Sequence, residues 1–191
     1  MAISHPNQRV GIFVDVQNIY HSAKHLYHSR VNFRELLRVL TDRRLMIRAI
    51  AYVVKGEVVG AAPQSGANLA PAGREESFFE ALRQVGMELR LKDLQVYPDG
   101  TKKADWDVGM AVDAMRMAPA LDAVVLVTGD GDFVPLVEYL KWGMGKRVEV
   151  AAFRRTSSGR LRDAADLFID LEKTPKLLNR IPPPRTRKTS Q

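Results

Sequence analysis

Two carboxylates separated by one glycine, Asp130 and Asp132, follow the unbroken apolar run Val124-Val125-Leu126-Val127. A parallel strand covered by helices on both faces reads as such a run. Ligands in sheets of this kind bind beyond the carboxyl ends of the strands. The pair is therefore expected at the mouth of a crevice, where paired carboxylates hold a hard divalent cation. Asp15 likewise ends the apolar segment Gly11-Ile12-Phe13-Val14, and Asp105-Trp106-Asp107 opens a helical stretch. Magnesium takes oxygen ligands and keeps several waters, so one or two direct carboxylates suffice while others act through water. This is equipment for phosphodiester hydrolysis, which needs no His or Cys.

Each acid also has a plainer reading. Asp132 precedes Phe133 and can cap a helix starting there; Asp105 can cap the next one. Asp15 can open an Asx-turn. Asp130 has no cap position of its own. Convergence at one sheet edge argues against all four plain readings together. Asp113 follows Asp107 by six residues and stands about 120° around the helix, as a salt-bridge or supporting group beside the site.

Other chemistries are excluded. A haloacid-dehalogenase-type phosphatase needs an Asp where Gln17 stands. Gly129-Asp130-Gly131 lacks the third glycine of a dinucleotide fingerprint, and Gly143-Met144-Gly145-Lys146-Arg147 lacks the spacing and hydroxyl of a P-loop. There is no Gly-x-Ser-x-Gly elbow. His21, His25 and His28 form a helical row with no carboxylate among them, read as a solvated face.

The elements that must position the acids alternate. Strands are expected over 10–16, 45–54, 87–91, 123–128 and 147–153. Helices are expected over 19–28, 31–41, 75–85, 105–117 (with Val108, Ala111, Val112 and Met115 inward), 133–142 and 157–165, before the apolar Leu167-Phe168-Ile169. Gly56–Gly73, rich in Gly, Ala and Pro, is expected as a mobile loop, and Asp93–Thr101 as a turn region. The alternation predicts a three-layer α/β/α domain, Rossmann-like, around a mostly parallel sheet.

The chain has 191 residues and no cysteine, which suits one domain in the cytoplasm without disulfides or thiolate zinc. No apolar run is long enough to span a bilayer. Of the net charge of +7, residues 173–191 carry +6, from Lys173, Lys176, Arg180, Arg185, Arg187 and Lys188 with no acid. The expected organisation is a lead over 1–8, one domain over 9–171, and a flexible, Pro-containing basic tail over 172–191. Such a tail attracts polyanions, nucleic acid first among them; the plainer reading is a solubilising tail without a partner.

Three blocks carry a family resemblance: Phe13-Val14-Asp15-Val16-Gln17-Asn18; Lys103-Ala104-Asp105-Trp106-Asp107-Val108-Gly109 through Ala114; and Val127-Thr128-Gly129-Asp130-Gly131-Asp132-Phe133-Val134-Pro135-Leu136. They resemble the signature blocks of NYN domains in the PIN-like nuclease superfamily, nearest the LabA-like branch (formerly uncharacterised family 88), as does Ser157-Ser158 through Ile169. The resemblance implies a PIN-like fold and a magnesium- or manganese-dependent ribonuclease acting on RNA. By position it makes Asp15, Asp107, Asp130 and Asp132 the catalytic, metal-binding acids. Asn18, Thr128 (where the family often has Ser), Asp105 and Lys103 would flank the metal ligands or touch substrate; Lys102 could stand in for Lys103. Some members of the branch have regulatory roles. The second expectation is therefore an RNA-binding or regulatory module that retains the acids with little or no turnover. A third is a homodimer joined through Trp142 and Met144, for which core packing is the alternative.

Overall fold

The computed structural model describes residues 5–56, 70–96, 102–103 and 105–181. A six-stranded parallel sheet has the order β4-β3-β1-β7-β8-β9. Its strands are β1 (Arg9–Asp15), β3 (Leu45–Val54), β4 (Glu88–Lys92), β7 (Ala123–Val127), β8 (Arg147–Ala152) and β9 (Leu167–Asp170). Helices α1 (Val16–Tyr27), α2 (Phe33–Thr41) and α3 (Pro71–Gln84) belong to one face; α4 (Asp107–Met117), α5 (Val134–Glu138) and α6 (Gly159–Ala164) belong to the other.

The apolar runs are continuous because alternate residues fill two cores. In β7, Ala123, Val125 and Val127 enter the core under α1–α3, whereas Val124 and Leu126 enter the core under α4–α6. In β1, Val10, Ile12 and Val14 enter the first core and Phe13 the second. Each such side chain contributes about 1.5–3 kcal/mol when fully buried, so both layers are held on the strands that carry the acids.

The chain runs outward from β1 through β3 to β4, then returns to β7 and runs outward the other way through β8 to β9. The direction of winding therefore reverses between β1 and β7. Their register pairs Val14 with Val127. This topological switch point opens a crevice at the carboxyl ends of both strands, and Asp15 and Asp130 stand at that edge.

Several elements differ from expectation. Helix α1 begins at Val16, not Ile19, because the Asp15 carboxylate caps it. Val31, read as the first residue of the second helix, instead ends strand β2 (Ser29–Val31), paired antiparallel with β10 (Leu178–Arg180); that partner lies far along the chain and leaves no local signal. Asn32 then caps α2 by accepting the Glu35 N–H. Pro71 and Gly73, expected in a loop, lie in the first turn of α3, where proline is tolerated at its start; residues 57–69 lie outside the described residues. The region read as a turn holds a small ladder, β5 (Gln95–Val96) with β6 (Lys102–Lys103), and 97–101 lie outside the described residues. The segment after β7 is a 3₁₀ turn over 131–133, the short α5 and a π turn over 139–143.

The chain does not leave the fold at 171. Leu177 is fully buried, and β10 holds the chain on the domain to Arg180; the remaining tail, 182–191, lies outside the described residues. At the amino ends of the strands, the buried Glu149 carboxylate takes two hydrogen bonds of 2.9 Å from Arg44 and one of 2.7 Å from Arg147. Among the described residues, no helix is long and apolar enough to cross a membrane.

Candidate metal-dependent nuclease site

Side-chain hydrogen bonds join the ends of β1 and β7. Asp15 Oδ1 accepts the Asn18 N–H at 3.1 Å, and its Oδ2 accepts the Thr128 hydroxyl at 3.2 Å. Fully buried Thr128 Oγ1 in turn accepts the Asp130 N–H at 3.2 Å. Asn18 Oδ1 accepts the Gly129 N–H at 2.9 Å. Asp15, Asn18, Thr128 and Asp130 therefore form one connected set.

The capping roles of the two glycine-spaced acids are the reverse of expectation. Asp130 caps the 3₁₀ turn over 131–133, accepting the Asp132 N–H at 3.0 Å. The chain turns two residues earlier than a helix beginning at Phe133 requires. Asp132 is exposed at the crevice and Asp130 is half-buried. Asp15 divides its oxygens, one capping α1 and the other accepting from Thr128.

Helix α4 brings an acid that no strand end carries. Asp107 is its first residue, and Trp106, not Asp105, occupies the cap position. Trp106 Nε1 donates to the Val53 carbonyl at 3.1 Å, and Lys92 Nζ lies 5.3 Å from its ring centre. Gly109 makes room for the indole: a Cβ there would lie 2.6 Å from Trp106 Cε3. One turn further along, Asp113 accepts from Tyr52 Oη and Arg90 Nε, each at 3.1 Å. These two ties set the helix rotation. Met110 and Ala114 are buried in the second core, and Ala111 and Met115 pack partly buried against it as expected, while Val108 is 74% and Val112 39% exposed, contrary to expectation.

The electrostatics show what the fold has brought together. Burial pushes the Asp107 carboxyl up to about 6, helped by the charges of Asp15, Asp130, Asp105 and Asp132. Burial also raises Asp15, with Asp130 adding to it, against the hydrogen bonds from Asn18 and Thr128. None of these five carboxylates forms an ion pair among the described residues, whereas Glu149 has two arginines. Asp105, Asp107 and Asp132 line a cleft of about 560 Å³ continued by Val108, Phe133 and Tyr139.

Among the described residues, no group of three or more His, Cys, Asp or Glu side chains is arranged to hold a metal ion unaided. An ion that keeps several waters does not need that many direct ligands, and the unneutralised carboxylates fit such a cation. The Asp105 carboxylate is exposed, and Lys92 bonds its backbone carbonyl at 2.8 Å instead. Lys103 lies in β6, and its side chain lies outside the described residues. The three histidines are exposed, His21 stacked on His25. Trp142 is 83% exposed rather than packed in the core, whereas Met144 packs partly buried against the second core.

Residues 156–158 also belong to the site's wall and were not singled out as such in the sequence. The Ser158 N–H donates to the Gly129 carbonyl at 2.9 Å. Thr156 Oγ1 lies 2.9 Å from Ser22 Oγ on α1. A Cβ on Gly129 would lie 2.9 Å from the Thr156 carbonyl oxygen, and one on Gly131 2.9 Å from Ser158 Oγ. The glycines flanking Asp130 were the available signal: they let this loop close on the strand end.

A three-layer parallel-sheet domain with acids at its switch point fits the PIN-like, nuclease-type fold that the NYN family implies. Residues 9–172 match the NYN domain, and the chain belongs to that family. It is 25% identical over 169 residues to the low amplitude and bright protein LabA of Synechococcus elongatus, covering 85% of this chain and 83% of that protein. A crystal structure of a Vibrio parahaemolyticus protein of unknown function superposes with a TM-score of 0.76 at 34% identity, covering 93% of this chain and all of that one. The domain is thus LabA-like in sequence and shares its fold with the Vibrio protein.

Proposed function

We propose that the protein is a metal-dependent ribonuclease. The observation that carries this reading is the gathering of Asp15, Asp107, Asp130 and Asp132 at the switch point, where burial, with the neighbouring carboxylate charges adding to it, raises Asp107 to about 6. A carboxylate cluster held together by the fold, without an ion pair among the described residues, suits magnesium or manganese. Asp15, Asp107 and Asp130 would hold the ion directly or through water. A divalent cation there supplies the charge that polarises a phosphoryl oxygen and activates water for phosphodiester hydrolysis. Asp132, exposed at the mouth, orients the attacking water or takes its proton. Asn18 and Thr128 hold the Asp15 carboxylate and the Gly129–Asp130 backbone in place, and Lys103 would contact the phosphate backbone, as the family resemblance implies. The basic chain end supports RNA as the polyanion.

The test is incubation of the purified protein with labelled RNA, with and without manganese. Metal-dependent cleavage is expected, abolished in Asp15→Asn and Asp130→Asn with the fold intact. Cleavage at the wild-type rate by either variant refutes the assignment. Retained RNA binding without cleavage by the wild type would instead support the alternative, an RNA-binding or regulatory module.

A further inference from the structure

At the end of α1 remote from Asp15, about 18 Å along its twelve residues, β2, α2, α3 and β10 enclose a second cleft of about 640 Å³. Its lining includes Arg30, Arg34 and Arg180, together with Asn32, Phe33 and Phe78, and no Asp or Glu. None of the three arginines forms an ion pair among the described residues. Arg30 Nε is buried without a hydrogen-bond partner. The nearest acid in sequence, Glu35, is already neutralised by Arg38, which reaches both its oxygens at 2.9 and 2.6 Å.

Three unopposed guanidinium groups repel one another, and Arg30, with its Nε buried and unpartnered, also loses solvation. An anion reverses both costs, and the guanidinium fork matches phosphate in particular. The cleft also has an aromatic wall. Phe33 and Phe78 meet edge to face with ring centres 5.8 Å apart; Phe78 is buried, whereas Phe33 remains partly exposed and offers a surface to a flat ring. The volume lies within the range of small-ligand sites, about 300–1,000 Å³.

We infer that this cleft is a second, separate site for a nucleoside phosphate, with Arg30, Arg34 and Arg180 on the phosphate and Phe33 against the base. The ligand is either a free mononucleotide or one nucleotide of an RNA strand; the chemistry recognised is the same.

The full-length protein is titrated in EDTA with a short fluorescein-labelled oligouridylate, and separately with AMP. The comparison is Arg34→Glu/Arg180→Glu, two exposed positions, with thermal unfolding confirming an unchanged fold. The double variant should bind the oligonucleotide about tenfold more weakly. The slope of log affinity against log salt should be shallower by about 1.4, two single-strand contacts at about 0.7 each. Displacement of the oligonucleotide by AMP, lost in the variant, identifies a free nucleotide as sufficient; failure of AMP to compete, with the variant defect retained, identifies a strand. Equal affinity and equal slope for the wild type and the double variant overturn the proposal. Because EDTA removes turnover, this result is independent of the ribonuclease reading, which Asp130→Asn tests separately: that variant should bind the oligonucleotide like the wild type and fail to cleave it.

Discussion

Replacing Asp107 by Asn should make the metal-free protein more stable, although it removes a residue from the centre of the site. Burial and four neighbouring carboxylates lift Asp107 from the ordinary value near 4 to about 6. That rise corresponds to at most about 3 kcal/mol for a fully desolvated group. Asp107 is half-exposed, and solvent screening leaves about 1 kcal/mol. The sign follows from linkage: a carboxyl raised in the folded state favours folding below its unfolded value and loses that contribution as pH climbs from about 4 through about 6. At pH 7.5 in EDTA, Asp107→Asn should therefore melt about 2–4 °C higher than the wild type; below pH 4 the two should coincide. Added manganese should reverse the order, stabilising the wild type more than the variant, because the ion binds the folded wild type more tightly. Thermal unfolding at the two pH values, with and without metal, measures all of this. A variant less stable than the wild type in EDTA at pH 7.5, or a difference independent of pH, would refute the reasoning.

Other substitutions probe the supports. Gly129→Ala drives a Cβ against the Thr156 carbonyl; since backbone cannot swing aside, a loss of about 1–3 kcal/mol is expected in denaturant unfolding, with slower cleavage. Trp106→Phe keeps an aromatic ring but loses the hydrogen bond to Val53, so about 1 kcal/mol of stability should go, and RNA cleavage should fall as Asp107 loosens. Arg44→Leu leaves the buried Glu149 carboxylate with Arg147 in place of two arginines and should cost about 3 kcal/mol by urea titration, with Arg44→Leu/Glu149→Leu recovering much of it.

The parts of this fold legible in sequence are those whose signal is local. The strand around Leu126 announces itself because both faces are apolar, and an acid ending such a run points to the crevice. Sequence did not reveal which of Asp130 and Asp132 caps the turn, since that depends on where the chain bends after Thr128. On α4, Ala111 and Met115 pack against the core as read, whereas Val108 and Val112, which look just as apolar, are exposed. Their exposure follows from tertiary ties, Trp106 to Val53 and Asp113 to Tyr52 and Arg90, that outweigh hydrophobic periodicity. The β2–β10 pairing escaped for a similar reason: three residues near the start pair with three near the end, and neither segment is periodic.

The adjacency of β1 and β7 sets an order of events in folding. Asp15 meets Thr128 only after a loop of more than a hundred residues has closed, a contact of high sequence separation that forms slowly. A nascent chain that has not yet supplied β7 holds its acids apart and has no crevice. The site is thus a late product of assembly, and cleavage competence would report that the central pair of strands has closed.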